Sequence, residues 1–337
     1  MLNFFKLLFY STLILGTLIT ISSYSWFSIW MGLEINLLSI LPLMVDNKNS
    51  YPSEAALKYF VTQVVASSLL LFSMIFSLIA MEFSFSNYQT LMDNLMNLSF
   101  FIALLMKMGA APFHLWFPEV LEGLNWTNNL IMLIWQKIGP MVITLLYSKN
   151  SLFLMSIIVV STIVGSILGL NQTSLRKILA YSSINHMAWM ISTMVSVKMV
   201  WLFYFSIYSI TTISIIWIFS KFNIYFLNQL HKIYSKNKNV NWLIASNFLS
   251  LGGIPPFLGF LPKWLTILSL SKKSLFLVSI LLILFTLIVL FFYLRLTFTA
   301  FMLTKNETFF WSRPNFLMYT VNFMVLFSLP LVSLTYF

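Results

Sequence analysis

The sequence predicts an all-α membrane protein with about eleven transmembrane helices, because its apolar stretches reach the roughly 20 residues that a bilayer-spanning helix needs. Of its 337 residues, 60% are hydrophobic and only 8% are charged, and the mean hydropathy is +0.91. A soluble domain carries roughly 25% charged residues. This composition could not cover a surface in contact with water, so lipid must be the main solvent.

The predicted spans follow one another closely along the chain. No polar stretch is long enough for a soluble domain, and the longest polar connection covers about residues 222–239. We therefore expect a single transmembrane domain over residues 1–337. The spans are predicted near residues 3–22, 25–45, 56–81, 97–112, 125–147, 151–169, 175–195, 199–222, 240–271, 275–303 and 315–335.

Two of the predicted spans contain residues that interrupt a helix. Span four ends with Gly109 and Pro112, and span nine carries glycines and prolines from Gly252 to Pro262. Proline removes a backbone donor, and glycine lets the chain unwind. We interpret both spans as discontinuous helices of the kind that line ion paths in transporters. The alternative is a simple kink or, for residues 107–118, the end of a span.

The distribution of charge predicts the orientation. If the N-terminus lies on side one, eleven Lys and Arg residues fall on that side and four on the other. The positive-inside rule then places the N-terminus in the matrix or cytoplasm and the C-terminus on the opposite side. This rule also explains the net charge of +11. Because no basic stripe alternates with exposed aromatic residues, we do not expect nucleic-acid binding.

The residue types present limit the cofactors. The chain has no cysteine, which excludes thiolate-ligated iron–sulfur clusters and zinc–thiolate sites. Its three histidines do not have the spacing of a helical metal or haem clamp. Any electron-carrying cofactor is therefore expected in a partner, and we expect no metal site.

Four charged residues lie inside predicted apolar spans with no easy escape to the interface: Glu34, Lys107, Lys137 and Lys263. A charge at the centre of a membrane helix costs about 2.5–3.5 kcal/mol, and such residues usually mark ion or proton routes. Desolvation favours the neutral form of a carboxylic acid and of an amine alike, which allows protons to exchange. We predict a proton relay in which Glu34 and Lys107 form a pair. Static ion pairs, or lysines that snorkel to an interface, are the alternative.

Two further residues are secondary candidates for the relay. His186 lies in the middle of span seven, beside Ser182 and Asn185. Histidine exchanges protons near neutral pH, although a hydrogen-bonded structural role is equally open. Lys177 lies near the entrance of the same span and could serve only to anchor or orient it.

Five stretches of sequence point to one family. These stretches are Trp30–Asn36, Ser53–Gln63, Lys107–His114, Leu170–Lys177 with Ala180–His186, and Ser250–Phe257. They resemble subunit 2 of the NADH:ubiquinone oxidoreductase (respiratory complex I) of animal mitochondria, an antiporter-like family, and the resemblance covers nearly the whole chain in order.

The resemblance implies a fold and roles for the candidate residues. It implies antiporter-like inverted repeats with two discontinuous helices, without the first three helices of the fourteen-helix bacterial form. Glu34 and Lys107 would be the coupling pair, Lys137 the connecting lysine and Lys263 the later channel lysine, with His186 on the polar axis. Ala188 stands where relatives usually have glycine. NADH, flavin, iron–sulfur clusters and ubiquinone would be bound by other subunits, and none by this chain.

The resemblance also implies a location and partners. The chain would be a multi-pass protein of the mitochondrial inner membrane, with its N-terminus in the matrix and its C-terminus in the intermembrane space. Its partners would be other membrane-arm and supernumerary subunits and the lipids of that membrane. As part of an H⁺-translocating NADH:ubiquinone reductase, it would couple electron transfer to proton translocation. A free-standing cation/proton antiporter and a structural membrane spacer are the competing hypotheses.

Overall fold

The computed structural model is almost entirely α-helical, as the sequence predicts. It describes residues 2–46, 49–82, 89–148, 151–234, 238–255, 257–302 and 320. In these ranges the extended backbone is limited to an isolated antiparallel bridge between Ser174 and Phe226. Nearly every backbone group is therefore satisfied within its own helix, which is the condition for a segment to cross lipid.

The helices are numbered α1–α14 in chain order, and one π-helical segment separates α6 from α7. The first half of the chain contains α1 (Leu2–Ser22), α2 (Trp26–Met44), α3 (Ser50–Glu82), α4 (Gln89–Met108), α5 (Trp116–Gly123), α6 (Trp126–Leu130), the π segment (Ile131–Trp135) and α7 (Gln136–Tyr147). The second half contains α8 (Ser151–Gly169), α9 (Leu175–Ser196), α10 (Lys198–Phe222), α11 (Leu227–Tyr234), α12 (Lys238–Gly252), α13 (Phe260–Lys272) and α14 (Phe276–Met302).

The lengths and composition of these helices confirm the membrane class. Within the described ranges, seven helices are long and apolar enough to cross a membrane, and a shorter apolar helix covers Asn97–Met108. The last predicted span, 315–335, lies outside the described residues. The total of about eleven spans therefore stays a prediction.

Several helix ends differ from the predicted ones. α3 begins at Ser50 rather than near residue 56. Pro52 lies in its first turn, where backbone N–H groups have no acceptor within the helix, so the missing N–H of proline costs no hydrogen bond. The short helices α5 and α11 lie in segments that we expected to be connections. α5 forms there because it is amphipathic: Phe117 and Leu121 are buried, whereas Glu119 is exposed.

The helices cluster into two compact units, Met1–Phe153 and Leu154–Phe337. In the first unit α1 packs against α2 and α7, and α3 packs against α4 and α5. In the second unit α9 packs against α10 and α13, and α12 packs against α10 and α14. The expectation of one domain over the whole chain stays a prediction.

The contact between α1 and α2 depends on small residues. A methyl group at Gly32 would lie 2.6 Å from Thr20 Cγ2 and 2.9 Å from the Thr20 backbone nitrogen. A methyl group at Gly16 would overlap the side chain of Asn36. Lipid tails are as apolar as leucine, so membrane helices gain stability mainly from such close packing. This packing fixes α2, which carries Glu34.

We predict that Gly32→Ala separates α1 from α2 and lowers the free energy of unfolding by about 1–3 kcal/mol, the usual range for overpacking. The control is Met31→Ala, because the neighbouring Met31 is 40% exposed. Thermal unfolding of the solubilised assembly measures both variants. Equal unfolding temperatures for the two variants would contradict the close packing.

Candidate functional site

The structure brings Glu34 and Lys107 together in the first unit. Glu34 lies in the middle of α2 and Lys107 in the last turn of α4. Lys107 Nζ is 3.9 Å from Glu34 Oε1, and the two side chains are only 4% and 20% exposed. This distance exceeds that of a hydrogen bond, and within the described residues Glu34 Oε1 has no hydrogen-bond partner. The two groups therefore form an ion pair across a short gap.

The end of α4 favours a positive charge at Lys107. The helix stops at Met108, and Gly109 turns the chain with a left-handed φ of +72°. Carbonyl groups at a helix C-terminus carry partial negative charge, which stabilises a cation in the last turn. The Gln63 side chain on α3 donates a hydrogen bond of 3.5 Å to the Lys107 carbonyl. The end of α4 and the position of the lysine are thus linked.

Lys137 lies in the same unit against an aromatic ring. It is the second residue of α7 and is 2% exposed. Its Nζ is 5.0 Å from the centroid of the Phe117 ring, within range of a cation–π interaction. Phe117 also packs on the turn after Lys107, because a methyl group at Gly109 would lie 3.1 Å from Phe117 Cβ. One side chain of α5 therefore contacts both Gly109 and Lys137.

The backbone around Lys137 is irregular. The π segment Ile131–Trp135 ends just before Gln136, and π segments often occur at functional sites. Pro140 has no N–H to donate to the Gln136 carbonyl. Tyr59 on α3 donates its hydroxyl proton to Gln136 Oε1 over 3.4 Å. The helix that carries Lys137 is thus loosened on both sides of this residue.

In the second unit, Lys263 binds the end of α12. The chain leaves the helix after Gly252, and α13 begins at Phe260. Lys263 Nζ, on the first turn of α13, donates hydrogen bonds to the carbonyls of Leu251 (3.2 Å) and Gly252 (2.7 Å). Lys263 is only 8% exposed, so it is held inside the protein rather than extended to an interface.

His186 lies in a polar cluster of the second unit. Its Nδ1 is 2.9 Å from the Tyr204 hydroxyl, and its ring is 5.2 Å from that of Tyr208. A cavity of about 10 Å³ adjoins this cluster, close to the roughly 10–15 Å³ that one water molecule requires. Ser250 of α12 and Pro262 of α13 also line the cavity. His186 and the ends of α12 and α13 therefore border one space.

Lys177 and the surface charges lie outside these groups. Lys177 is in the first turn of α9 and is partly exposed, as expected for a residue near the entrance of its span. Lys58 forms ion pairs of 3.0 Å with Glu54 and with Glu119. The pairing with Glu54 agrees with their spacing of four residues on one helical face. These three side chains are about half exposed, so this cluster belongs to the surface.

Sequence reasoning missed three components of the site. Phe117 and Tyr204 contact Lys137 and His186 only through the tertiary fold, and neither has a local sequence signal. The π segment was also missed, although Pro140 indicates irregular backbone nearby. By contrast, the four ionisable residues Glu34, Lys107, Lys137 and Lys263 could be selected directly from their apolar sequence surroundings.

Comparisons with known proteins identify the family. Residues 23–290 match the family described as NADH:quinone oxidoreductase/Mrp antiporter, TM. NADH-ubiquinone oxidoreductase chain 2 of Anopheles gambiae is 45% identical over 338 residues, which cover 98% of this chain and 97% of the mosquito protein. The chain belongs to the chain 2 family. Chain 2 of Ailuropoda melanoleuca is 39% identical over 309 residues, or 89% of this chain and 88% of that protein.

Solved structures share the fold at low sequence identity. A chain of respiratory complex I from Thermus thermophilus superposes with a TM-score of 0.84 at 22% identity, over 98% of this chain and 79% of that one. A chain of the Mrp complex from Dietzia sp. DQ12-45-1b gives 0.72 at 15% identity, over 88% and 60% of the two chains. The predicted antiporter-like fold of the chain 2 family is thereby confirmed.

We predict that Tyr204→Phe lowers the free energy of unfolding by about 1–3 kcal/mol, because the His186 ring loses a buried hydrogen-bond partner. The control is Tyr24→Phe, since Tyr24 is fully exposed in this chain and its hydroxyl lies outside the protein interior. Thermal unfolding of the solubilised assembly compares the two. A loss no larger than that of the control would show that the Tyr204 hydroxyl does not stabilise the cluster.

Proposed function

We propose that this chain is a proton-relaying membrane subunit of a mitochondrial NADH:ubiquinone oxidoreductase. Its relatives of 39–45% identity carry that enzyme's name as chain 2. The single observation that carries the proposal is the pair formed by the buried Lys107 and the largely enclosed Glu34, 3.9 Å apart beside the end of α4. A charge among membrane helices costs free energy, and such residues usually mark ion or proton routes. A titratable pair that exchanges protons would explain why the charges are placed here.

The Glu34–Lys107 pair is proposed as the point where charge enters the relay. In close approach, the carboxylate and the ammonium stabilise each other's charge. Electron transfer in another subunit would perturb this balance, and one of the two groups would then gain or lose a proton. The gap of 3.9 Å supports this role, because the pair is not locked by a direct hydrogen bond.

Lys137 is proposed to receive this perturbation within the first unit. The Phe117 ring stabilises the charged lysine by about 0.5–2 kcal/mol, an interaction that disappears when the amine becomes neutral. Because Phe117 also packs on Gly109, a shift in the turn after Lys107 would move the ring under Lys137. We propose that Lys263 and His186 continue the relay in the second unit, and that Lys177 serves at its entrance.

The proposal assigns redox chemistry to other subunits. NADH, flavin, iron–sulfur clusters and ubiquinone would be bound elsewhere in the enzyme, in agreement with the absence of cysteine from this sequence. The chain would lie in the inner membrane among the other membrane-arm and supernumerary subunits and its lipids. The excess of Lys and Arg on one side favours a matrix N-terminus and a C-terminus in the intermembrane space.

A free-standing cation/proton antiporter is the alternative function. The family description includes Mrp antiporters, and an Mrp complex shares the fold. Purification separates the two functions. Co-purification with NADH-oxidising activity supports the subunit, whereas cation/proton exchange by the chain alone in liposomes would support the antiporter.

We predict that Lys107→Met and Glu34→Gln each lower NADH-driven proton transport at least about tenfold. A positioned acid or base contributes a factor of roughly 100 to a reaction rate, so the loss of one such group would account for this decrease. The matched control is Lys58→Met, because Lys58 is 44% exposed in a surface cluster. Proton uptake per NADH oxidised is measured in inner-membrane vesicles with equal amounts of assembled enzyme. Unchanged rate and stoichiometry in both buried variants would refute the proposal.

A second prediction separates a proton relay from a structural spacer. Lys137→Arg keeps a positive charge that can face Phe117, but a guanidinium is not deprotonated in proteins. A relay predicts that transport falls about as far as in Lys137→Met, toward the roughly 100-fold range of acid–base catalysis. A static charge predicts that Lys137→Arg transports normally. Equal assembly of the two variants on native gels is the control.

A further inference from the structure

We propose that Gly253 is a positioning residue for Lys263, and this inference rests on the relay role proposed for that lysine. A methyl group at Gly253 would lie 2.7 Å from Lys263 Cδ, 3.1 Å from Cε and 3.0 Å from Nζ. The stem of the lysine therefore runs directly across the Cα of the glycine. Any side chain at this position would displace the ammonium group from its carbonyl partners.

The backbone at Gly253 exposes those partners. Gly253 has a left-handed φ of +77°, a conformation that residues with a Cβ rarely adopt. The N–H of Gly253 bonds to the carbonyls of Leu249 and Ser250, and the N–H of Ile254 also bonds to Leu249. This turn closes the end of α12 in the way a glycine commonly ends a helix.

The turn leaves the last two carbonyls of α12 to the lysine. Those of Leu251 and Gly252 are beyond the reach of further helical N–H donors, and buried carbonyls need a partner. Lys263 Nζ supplies it, with bonds of 3.2 and 2.7 Å. Gly253 thus has two effects. Its left-handed φ turns the chain so that these carbonyls stay open to a donor, and the absence of a side chain leaves room for the lysine.

This arrangement lets Lys263 exchange a proton without moving. An ammonium group has three N–H donors, and the two carbonyls use two of them. When the third proton passes to water, the neutral amine keeps two N–H bonds, enough for both carbonyls. Lys263 can therefore exchange a proton while its nitrogen stays in place, and this position of the nitrogen depends on Gly253.

An outward-facing residue of the helix that carries Lys263 provides the control. Leu268 lies on α13 and is 40% exposed. Leu268→Ala therefore changes α13 without altering Lys263 or its two carbonyl partners.

The test compares Gly253→Ala with Leu268→Ala in the assembled enzyme in inner-membrane vesicles. We expect Gly253→Ala to lower NADH-driven proton transport about tenfold or more, because a displacement of about 1 Å at a reacting group can cost roughly 100-fold. Its pH profile of transport should also shift. Leu268→Ala should keep both the rate and the profile of the unmodified enzyme.

Two additional variants separate positioning from folding. Gly253→Asn tolerates a left-handed φ, so it assembles if alanine does not, but its side chain still displaces Lys263. We expect it to lose transport as Gly253→Ala does. In a Lys263→Met background, Gly253→Ala should cause no further loss if it acts through the lysine.

The outcomes distinguish this inference from the proposed function. If Lys263→Met leaves transport unchanged, the relay role of Lys263 fails, and the positioning role fails with it. If Lys263→Met lowers transport but Gly253→Asn transports as well as the Leu268→Ala control, only the positioning role is overturned. Independent losses in the Gly253→Ala and Lys263→Met double variant would also overturn it.

Discussion

A buried positive charge held at the carbonyl end of a helix is the constraint on which the rest of this structure depends. Lys107 lies in the last turn of α4, and Lys263 reaches back from α13 to the last carbonyls of α12. In lipid, neither the charge nor the open carbonyls could remain unsatisfied. At Lys263 the ammonium group and the open carbonyls satisfy each other through hydrogen bonds, so ending a helix and burying a lysine become one structural solution.

The two units apply this solution with different partners. In both, a glycine of left-handed φ ends the helix: Gly109 at +72° and Gly253 at +77°. Lys107 faces a titratable carboxylate, Glu34, whereas Lys263 is bound by fixed backbone dipoles. A change of protonation at Glu34 alters the field on Lys107 directly. Lys263 has a constant environment, which suits a group that exchanges protons at a set position.

The sequence predicted those features that depend only on neighbouring residues in the chain. A charge inside an apolar span is visible without a fold, and so are glycines and prolines that end a helix. The pairing of Glu34 with Lys107 could be anticipated because an unpaired charge away from water is strongly unfavourable and an opposite charge stabilises it. The ring of Phe117 under Lys137 and the hydroxyl of Tyr204 on His186 could not, since these contacts depend on how helices turn and pack. The carbonyl partners of Lys263 also require coordinates.

The central claim is that the buried ionisable groups of each unit exchange protons through water. A high-resolution map of the assembled enzyme in a lipid environment, with ordered water resolved, tests it most directly. The account predicts that water reaches Glu34, Lys107 and Lys137 in the first unit. It also predicts water in the cavity beside His186, with a link to Lys263 in the second. Separate dry pockets around each of these side chains would contradict it.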